Sequence, residues 1–412
     1  MLLYQNSITE SNNITFAMND NNQNKNGVTE LIGLFLKLGI IAFGGPAAHI
    51  AMMEEEVVNR RKWITREHFL DLVGVTNLIP GPNSTEMAIH IGYIRGGLLG
   101  LVVSGLSFII PAVIITGILA WVYVSYGSVP QVAPFLFGIK PAVVSVILVA
   151  VIRLGRTAAK NTLLMLIGIA VAAASLLGMN EILALLSGGV IGIILYWVKG
   201  PGNKKVSGWI IPLLSQSFGL LKSSDAKAAV AVSAAGIAGV SLWKLGLFFL
   251  KVGSVLYGSG YVLIAFLEGG LVKDYGWLTQ QQLLDAIAIG QFTPGPVLST
   301  ATFVGYVVSG FPGAAIATCA IFLPSFVFVL ILNPIIPRLR ASKIISAFLD
   351  AVNISAIGLM AAVVVQLAGS AVTDWRAVII AAGTAIAGLR FKLNTAWLVA
   401  GGAVMGWVLK VI

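Results

Sequence analysis

Charge and cysteine are scarce in this chain. Only 10% of its 412 residues are charged, whereas soluble domains carry about 25%, so the chain lacks the charge needed to cover a water-facing surface. Its single cysteine, Cys319, excludes both a disulfide framework and a cysteine-based metal site. The three histidines are widely spaced and have no second type of ligand arranged around them. We therefore expect no metal site and no cofactor.

Apolar sequence is abundant instead. Hydrophobic residues make up 58% of the chain, and the mean hydropathy is +0.94, which predicts an integral membrane protein. The net charge of +10 comes from basic residues that stand between apolar runs. This placement indicates orientation in the bilayer and not nucleic-acid binding. The asparagine-rich residues 1–27 predict a disordered tail without a cleaved signal peptide.

Ten apolar runs predict an all-α polytopic fold, because each approaches the ~20 residues that a spanning helix needs. The predicted spans are about 30–58, 98–122, 132–152, 161–178 and 182–198, and then about 245–272, 312–334, 345–367, 373–389 and 393–410.

An internal repeat relates the two sets of spans. At one offset of 214 residues, Lys37 pairs with Lys251 and Trp63 with Trp277. The offset becomes 213 after one deletion, and Pro111 then pairs with Pro324. Chance apolar similarity does not match such residues in one register. We predict repeats at 28–198 and 244–412, joined by a linker at 199–243 whose alanine-rich part, 226–243, is either a surface helix or a further span.

The basic residues fall on non-equivalent turns of the two repeats. The turn at 153–160 is basic and its equivalent at 368–375 is not, whereas the turn at 335–343 is basic and its equivalent at 123–130 is not. Since basic turns favour the cytoplasmic side, the two repeats are predicted to have inverted topology.

A Pro-Gly-Pro sequence divides a less hydrophobic stretch in each repeat, at 66–97 and at 280–310. The pieces on either side are ~14 residues long, or about 21 Å as helices, which is too short to cross a ~30 Å core. We predict a re-entrant helical hairpin with its tip at each Pro-Gly-Pro.

The helix breaks and hairpin tips are the candidate anion site. A helix that restarts after a break points free N–H groups and a positive dipole end forward, which suits an oxyanion. The alternative is that Pro-Gly-Pro makes a tight turn and Ser/Thr cap the next helix. The candidates are Gly44, Gly45, Pro46, Pro80, Gly81, Pro82, Asn83, Ser84, Thr85, Gly258, Pro294, Gly295, Pro296, Ser299 and Thr300.

Charged residues near these breaks are further candidates, because ionisable groups inside membranes are costly and usually functional. Lys37, Lys251 and Arg60 would attract an anion, although the two lysines could instead snorkel to the interface. Glu56 and Arg60 are spaced for an i,i+4 pair. The candidates for ion pairing or proton coupling are Glu54, Asp71, Glu86, Glu268, Asp285 and His49. The two aspartates could pair with the lysines or hold the hairpins in place.

These motifs resemble the chromate ion transporters of the CHR superfamily. The resemblance rests on Phe43-Gly44-Gly45-Pro46-Ala47-Ala48-His49, on the basic run Arg60-Arg61-Lys62-Trp63, and on Pro80-Gly81-Pro82-Asn83-Ser84-Thr85. The second repeat resembles the family's second domain through Phe292-Thr293-Pro294-Gly295-Pro296. The similarity extends over about 30–410, as in long two-domain members. Glu86 departs from the glutamine that we expect after the Ser-Thr pair.

The resemblance implies a secondary transporter of the cytoplasmic membrane that exports chromate and confers resistance to it, with sulfate as a related tetrahedral dianion. The alternatives are uptake or exchange of sulfate or another anion, and then an anion channel or a membrane-embedded enzyme. The sequence contains no HExxH, GxSxG or P-loop motif, so we predict no enzyme activity. The expected partners are the anion and the lipid bilayer, with a homodimer as a further option.

Overall fold

A computed structural model describes residues 27–43, 45–127, 133–199, 240–258, 260–332, 342–391 and 393–411. Regular structure in these ranges is helical throughout, so the predicted all-helical fold is confirmed there. The predicted tail lies outside the described residues up to position 26. The predicted linker also lies outside them, except for its first residue and its last four, and with it the question of an extra span.

The first half contains seven helices among its described residues. A short π-helical turn, Glu55–Arg60, continues the second helix. The helices are α1 (27–41), α2 (Pro46–Glu54), α3 (Arg66–Thr76), α4 (Asn83–Tyr126), α5 (Ala133–Ala158), α6 (Thr162–Leu176) and α7 (Glu181–Lys199).

The second half repeats this order. A π-helical turn, Leu267–Asp274, again follows the break in the first apolar run, and short 3₁₀ turns precede α9 and α11. The helices are α8 (Leu242–Val255), α9 (Leu263–Phe266), α10 (Gln280–Phe292), α11 (Thr300–Leu332), α12 (Lys343–Ala371), α13 (Trp375–Phe391) and α14 (Thr395–Val411).

Among the described residues, five helices are long and apolar enough to cross a membrane, so the chain is a multi-pass membrane protein. They are Asn83–Tyr126, Pro134–Ala158, Glu181–Val198, Val297–Ile331 and Lys343–Ala371. Two shorter apolar helices are Thr162–Leu176 and Thr395–Lys410.

Both α4 and α11 bend sharply at equivalent positions. Gly97 has a φ of 57° and Gly310 a φ of 61°, in the left-handed region that glycine adopts without steric cost. In α4 the chain folds back at this bend, and a Cβ on Gly92 would collide with the backbone of Gly100. The bend therefore separates a short helix, 83–95, from the long apolar helix that follows it.

Candidate functional site

The Pro-Gly-Pro tip of each half is hydrogen-bonded to the helix break of the other half. Gly81 N donates to Leu256 O at 2.7 Å, and Gly295 N donates to Ala42 O at 2.9 Å. Both members of the second bond lie 214 residues from their counterparts in the first, so the two contacts are equivalent. We call the contact of Gly81 with Leu256 the first junction and the contact of Gly295 with Ala42 the second junction.

Both tips require glycine. Gly81 has a φ of 139° and Gly295 a φ of 84°, values that residues with a side chain rarely adopt. A Cβ on Gly81 would lie 2.6 Å from Ser325 Oγ and closer still to Glu86 Oε1, and a Cβ on Gly295 would lie 3.0 Å from Ala112 Cβ. The tips are thus packed against the partner half as well as bonded to it.

Polar side chains at the first tip are buried without hydrogen bonds. Thr85 and Glu86 are both 0% exposed. The Thr85 hydroxyl, both Glu86 carboxylate oxygens and the Ser325 hydroxyl have no hydrogen-bond partner among the described residues. This tip therefore has hydrogen-bonding capacity that the described protein groups leave unused. Each unpaired buried polar group costs about 1–3 kcal/mol of stability.

Helix capping, the alternative role for Ser84 and Thr85, is not what the structure shows. The N-cap of α4 is Pro82, and no side chain caps it. Asn83 donates instead to Asn77 Oδ1, at 2.6 Å.

The hydroxyls at the second tip are hydrogen-bonded. Thr116 Oγ1 lies 3.3 Å from both Thr293 Oγ1 and Ser299 Oγ, and Thr300 Oγ1 donates to Val297 O at 2.8 Å. Thr116 belongs to the C-terminal part of α4 and contacts the start of α11, whereas Ser325 near the end of α11 lies against the first tip. Past their bends the long parts of α4 and α11 run antiparallel, because Gly105 lies against Phe326 whereas Trp121 and Phe311 line one cavity.

A cluster of basic side chains surrounds Glu56, which is buried at the π-helical turn after α2. Lys37 Nζ lies 2.7 Å from Glu56 Oε1, Arg60 Nη1 lies 3.3 Å from the same oxygen, and Arg61 Nε lies 3.4 Å from Oε2. The hydrogen bond from Lys37 holds the pKa of Glu56 below its ordinary value, although desolvation by burial acts in the opposite direction. The i,i+4 pair of Glu56 with Arg60 is formed as predicted.

The other candidate carboxylates have different surroundings. Glu54 pairs with Arg66 at 3.1 Å on the surface. Glu268, which is 1% exposed, accepts a hydrogen bond from Gln280 at 3.3 Å and lies 3.8 Å from Lys273. The equivalent glutamates are thus both near a cation, and only Glu268 is buried.

Asp285 and Lys251 do not pair, although the sequence allowed that option. No ion pair joins these two described residues; Asp285 Oδ2 accepts a hydrogen bond from Tyr123 at 2.8 Å. Lys251 instead lines a cavity of about 180 Å³ that also contains Glu181 and Asp274. Asp71, the counterpart of Asp285, is exposed.

The break in the first half is lined by Gly45, Pro46 and His49. Gly45 has a φ of 80°, and Pro46 begins α2. His49 is buried, its Nε2 lies 3.0 Å from Ala42 O, and its ring stands edge-on to Phe108. Gly44 lies outside the described residues.

The structure adds polar residues that the motifs did not indicate: Thr116, Tyr123 and Ser325. Thr116 and Ser325 lie inside predicted apolar runs and Tyr123 directly follows one, so spacing offers no signal for them. Asn77 and Gln291 were also missed, but a signal existed, because both are side-chain amides and are paired at the offset of 214. The repeat register thus contained more information than the conspicuous glycines and prolines.

Taken together, the helical architecture, the five long apolar helices and the two equivalent halves define a polytopic membrane protein built from a duplicated unit. A family model described as chromate transporter matches residues 29–193 and again residues 243–407. The chain belongs to this family, which is one of transporters and not of enzymes.

Relatives of the chain align over most of its length. It is 31% identical to the chromate transport protein of Cupriavidus metallidurans over 92% of each chain. It is 33% identical to the probable chromate transport protein of Synechococcus elongatus, over 84% of this chain and 86% of the relative. The chromate transport protein of Pseudomonas aeruginosa is 32% identical over 92% of each chain. No solved structure matches the chain.

Proposed function

We propose that this protein transports a tetrahedral oxyanion, chromate foremost, out of the cell across the cytoplasmic membrane by alternating access. The observation that carries the proposal is the pair of crossed junctions, in which the hairpin tip of each half is bonded to the helix break of the other. Crossed, duplicated helix breaks are typical of transporters whose substrate site lies between two repeats. The choice of chromate as substrate is taken from the names of the three relatives.

The two repeats, 28–198 and 244–412, have inverted topology in this proposal. The antiparallel course of α4 and α11 supports the inversion. So does the ion pair of Lys160 with Asp350 at 2.7 Å, which joins the C-terminal end of α5 to the N-terminal part of its equivalent, α12. The basic turns at 153–160 and 335–343 then lie on one side of the membrane, the cytoplasmic side by the positive-inside rule.

Both Pro-Gly-Pro hairpins are re-entrant in this proposal. Helix α3 has 11 residues, or about 17 Å at 1.5 Å per residue, and the short helix 83–95 is about 20 Å long. Neither reaches across a ~30 Å hydrocarbon core. The buried backbone at each tip is tolerated at membrane depth because it is enclosed by protein and hydrogen-bonded to the other repeat.

The oxyanion would be bound between the tips and the breaks. On the first tip, the hydroxyls of Ser84 and Thr85 lie at the start of α4, where the helix dipole favours an anion. Lys37 and Arg60 are partly committed to Glu56, so their role would be attraction of the anion at the surface. Glu86 must be neutral or turned away while the anion is bound, which suits a group that exchanges a proton during transport.

The membrane potential alone favours export. Moving one charge across it is worth about 2.3 kcal/mol per 100 mV, so a dianion that leaves a negative cytoplasm gains about 4.6 kcal/mol per 100 mV. Uniport and exchange for protons are both driven by the potential, so an uncoupler, which collapses it, stops both. Only exchange for protons depends on the pH gradient as well, which nigericin with potassium collapses selectively.

Flux measurements in everted vesicles test the proposal. We expect accumulation of chromate, and a smaller accumulation of sulfate, that is reduced in Asn83→Ala and Arg60→Ala. Collapse of the pH gradient alone, by nigericin with potassium, should slow proton exchange and leave uniport unchanged. The proposal fails if wild-type vesicles accumulate neither oxyanion. Preference for sulfate over chromate would change the assigned substrate and leave the site in place.

A further inference from the structure

A polar cavity opens beside the first junction, and none of its polar side chains is among the candidate site residues predicted from the sequence. Its volume is about 330 Å³, room for about ten waters at the ~30 Å³ that each occupies in the liquid. Its polar side chains are Asn77, Thr157, Lys160, Asp350 and Asn353, and Gly258 forms part of its wall. We call this space the Lys160 cavity.

Both repeats contribute to the Lys160 cavity. Asn77 precedes the first tip, donates to Val73 O at 2.9 Å and accepts the hydrogen bond from Asn83. Gly258 belongs to the break of the second repeat, where a Cβ would lie 3.3 Å from Asn353 Oδ1. The two amide side chains are thus held at the contact of tip and break.

The cavity continues into a second space of about 220 Å³. Asn77, Asp350 and Asn353 line both spaces, and the second adds Ser342 and Ser346. Because Ser342 directly precedes α12 and Lys160 follows α5, this route leads toward the two basic turns. In the proposed topology it opens to the cytoplasm.

The charge in the cavity is balanced by one ion pair. Lys160 Nζ lies 2.7 Å from Asp350 Oδ1, and the two side chains are 59% and 30% exposed. An exposed pair of this kind contributes about 0–1 kcal/mol, so a dianion that enters the cavity can compete with Asp350 for the ammonium group. Asn77 and Asn353 would supply amide N–H donors, which a tetrahedral oxyanion accepts on its remaining oxygens.

We propose that the Lys160 cavity is the binding site that a tetrahedral dianion occupies first from the cytoplasmic side, with Lys160 exchanging Asp350 for the anion and Asn77 and Asn353 binding its other oxygens. This inference rests on the proposed function. In the sequence, Lys160 is one of the basic residues of the turn at 153–160 that indicate orientation in the bilayer. The inference assigns it a second role as an anion ligand.

The equivalent residues at the second junction differ in exposure, as alternating access requires. Asn77 is exposed, whereas its counterpart Gln291 is 6% exposed and accepts a hydrogen bond from the Tyr261 hydroxyl at 3.3 Å. The counterpart of Asn353 is Lys140, which is half-buried. The described conformation is thus more open at the first junction than at the second.

Equilibrium binding of radiolabelled chromate and sulfate to the purified full-length protein in nanodiscs tests the site. Lys160→Gln should weaken binding on the order of 10-fold, the loss expected for one charge-assisted hydrogen bond. Asp350→Asn should tighten binding, because it frees Lys160. A disturbed fold would weaken binding in both variants, so the opposite signs separate ligand loss from damage. Arg156→Gln is the matched control, since it removes one exposed positive charge from the same turn.

Each outcome has a defined meaning. Weaker binding in Lys160→Gln than in Arg156→Gln, together with tighter binding in Asp350→Asn, supports the site. If the wild type transports an oxyanion but Lys160→Gln and Arg156→Gln bind it equally well, the site is refuted and the proposed function stands. If the wild type neither binds nor transports an oxyanion, the proposed function fails, and this inference fails with it.

Discussion

Replacing Gly81 by alanine should destabilise the protein and stop transport, because the added methyl group raises the free energy of the folded state in two independent ways. The first is conformational. A φ of 139° is sparsely populated by residues with a side chain, and such backbone strain costs about 1–3 kcal/mol.

The second cost is overpacking. The new Cβ would lie 2.6 Å from Ser325 Oγ and closer to Glu86 Oε1, and Glu86 is fully buried, so its carboxylate cannot move freely into water. Overpacking a dense interior typically costs about 1–3 kcal/mol. The two terms together give about 2–6 kcal/mol, enough to break the 2.7 Å bond from Gly81 N to Leu256 O.

Gly97→Ala is the matched control. Gly97 also has a positive φ, 57°, but no atom lies within 4 Å of its Cβ position, so only the conformational cost of about 1–2 kcal/mol applies. Tryptophan fluorescence during heating in detergent, combined with chromate flux in vesicles, measures both effects. We expect Gly81→Ala to have the lower melting temperature and less than a tenth of the wild-type flux. Equal melting temperatures for the two variants would refute the packing argument, and wild-type flux in Gly81→Ala would refute the role of the tip.

Three further predictions follow from the charged and exposed positions. Glu86→Gln should keep or raise the melting temperature, because it removes a buried ionisable group at constant shape. It should also abolish any part of the flux that depends on the pH gradient, and an unchanged dependence on the pH gradient would exclude Glu86 from coupling. Glu56→Gln should lower the free energy of unfolding by about 1–2 kcal/mol, discounted for the half-exposed Lys37. Since the folded-state pKa of Glu56 is lowered, this difference should be complete above pH 4.5 and disappear as pH falls through the folded pKa, as denaturant titrations at several pH values would reveal. Reporter fusions at Ser128 and Ser342 should report opposite faces of the membrane, and a common face would overturn the inverted topology.

The repeat register explains why the helical elements could be predicted so closely. Apolar runs and glycine or proline breaks act locally on backbone conformation, so α5, predicted at about 132–152, is found at Ala133–Ala158, and the broken first run of each half is interrupted where the glycines are. Only one side of each junction could be predicted from the sequence. Pro-Gly-Pro marked both tips, but no pattern in one repeat specifies which carbonyl of the other repeat it will meet.

The pairings of charged residues show most directly what the sequence could not predict. Lys37 was a candidate partner of Asp71 in the sequence and pairs with Glu56 in the structure, because the π-helical turn after α2 brings residues 19 positions apart into contact. Asp285 was a candidate partner of Lys251 and accepts a hydrogen bond from Tyr123. Distances between residues far apart in the chain follow from packing, which hydropathy and spacing do not encode.

The sequence by itself determined the membrane class, the duplicated unit, the positions of its helix breaks and the resemblance to the family, since each depends on local composition or on register between two copies. Only the tertiary structure decided that each tip bonds to the opposite break, that the first tip buries unpaired polar groups while the second pairs them, and that Asn77 and Asn353 meet Lys160 at one cavity. Those features arise because two similar halves pack together in dissimilar ways. The repeat in the sequence shows how alike the halves are, and it does not show how their contacts differ.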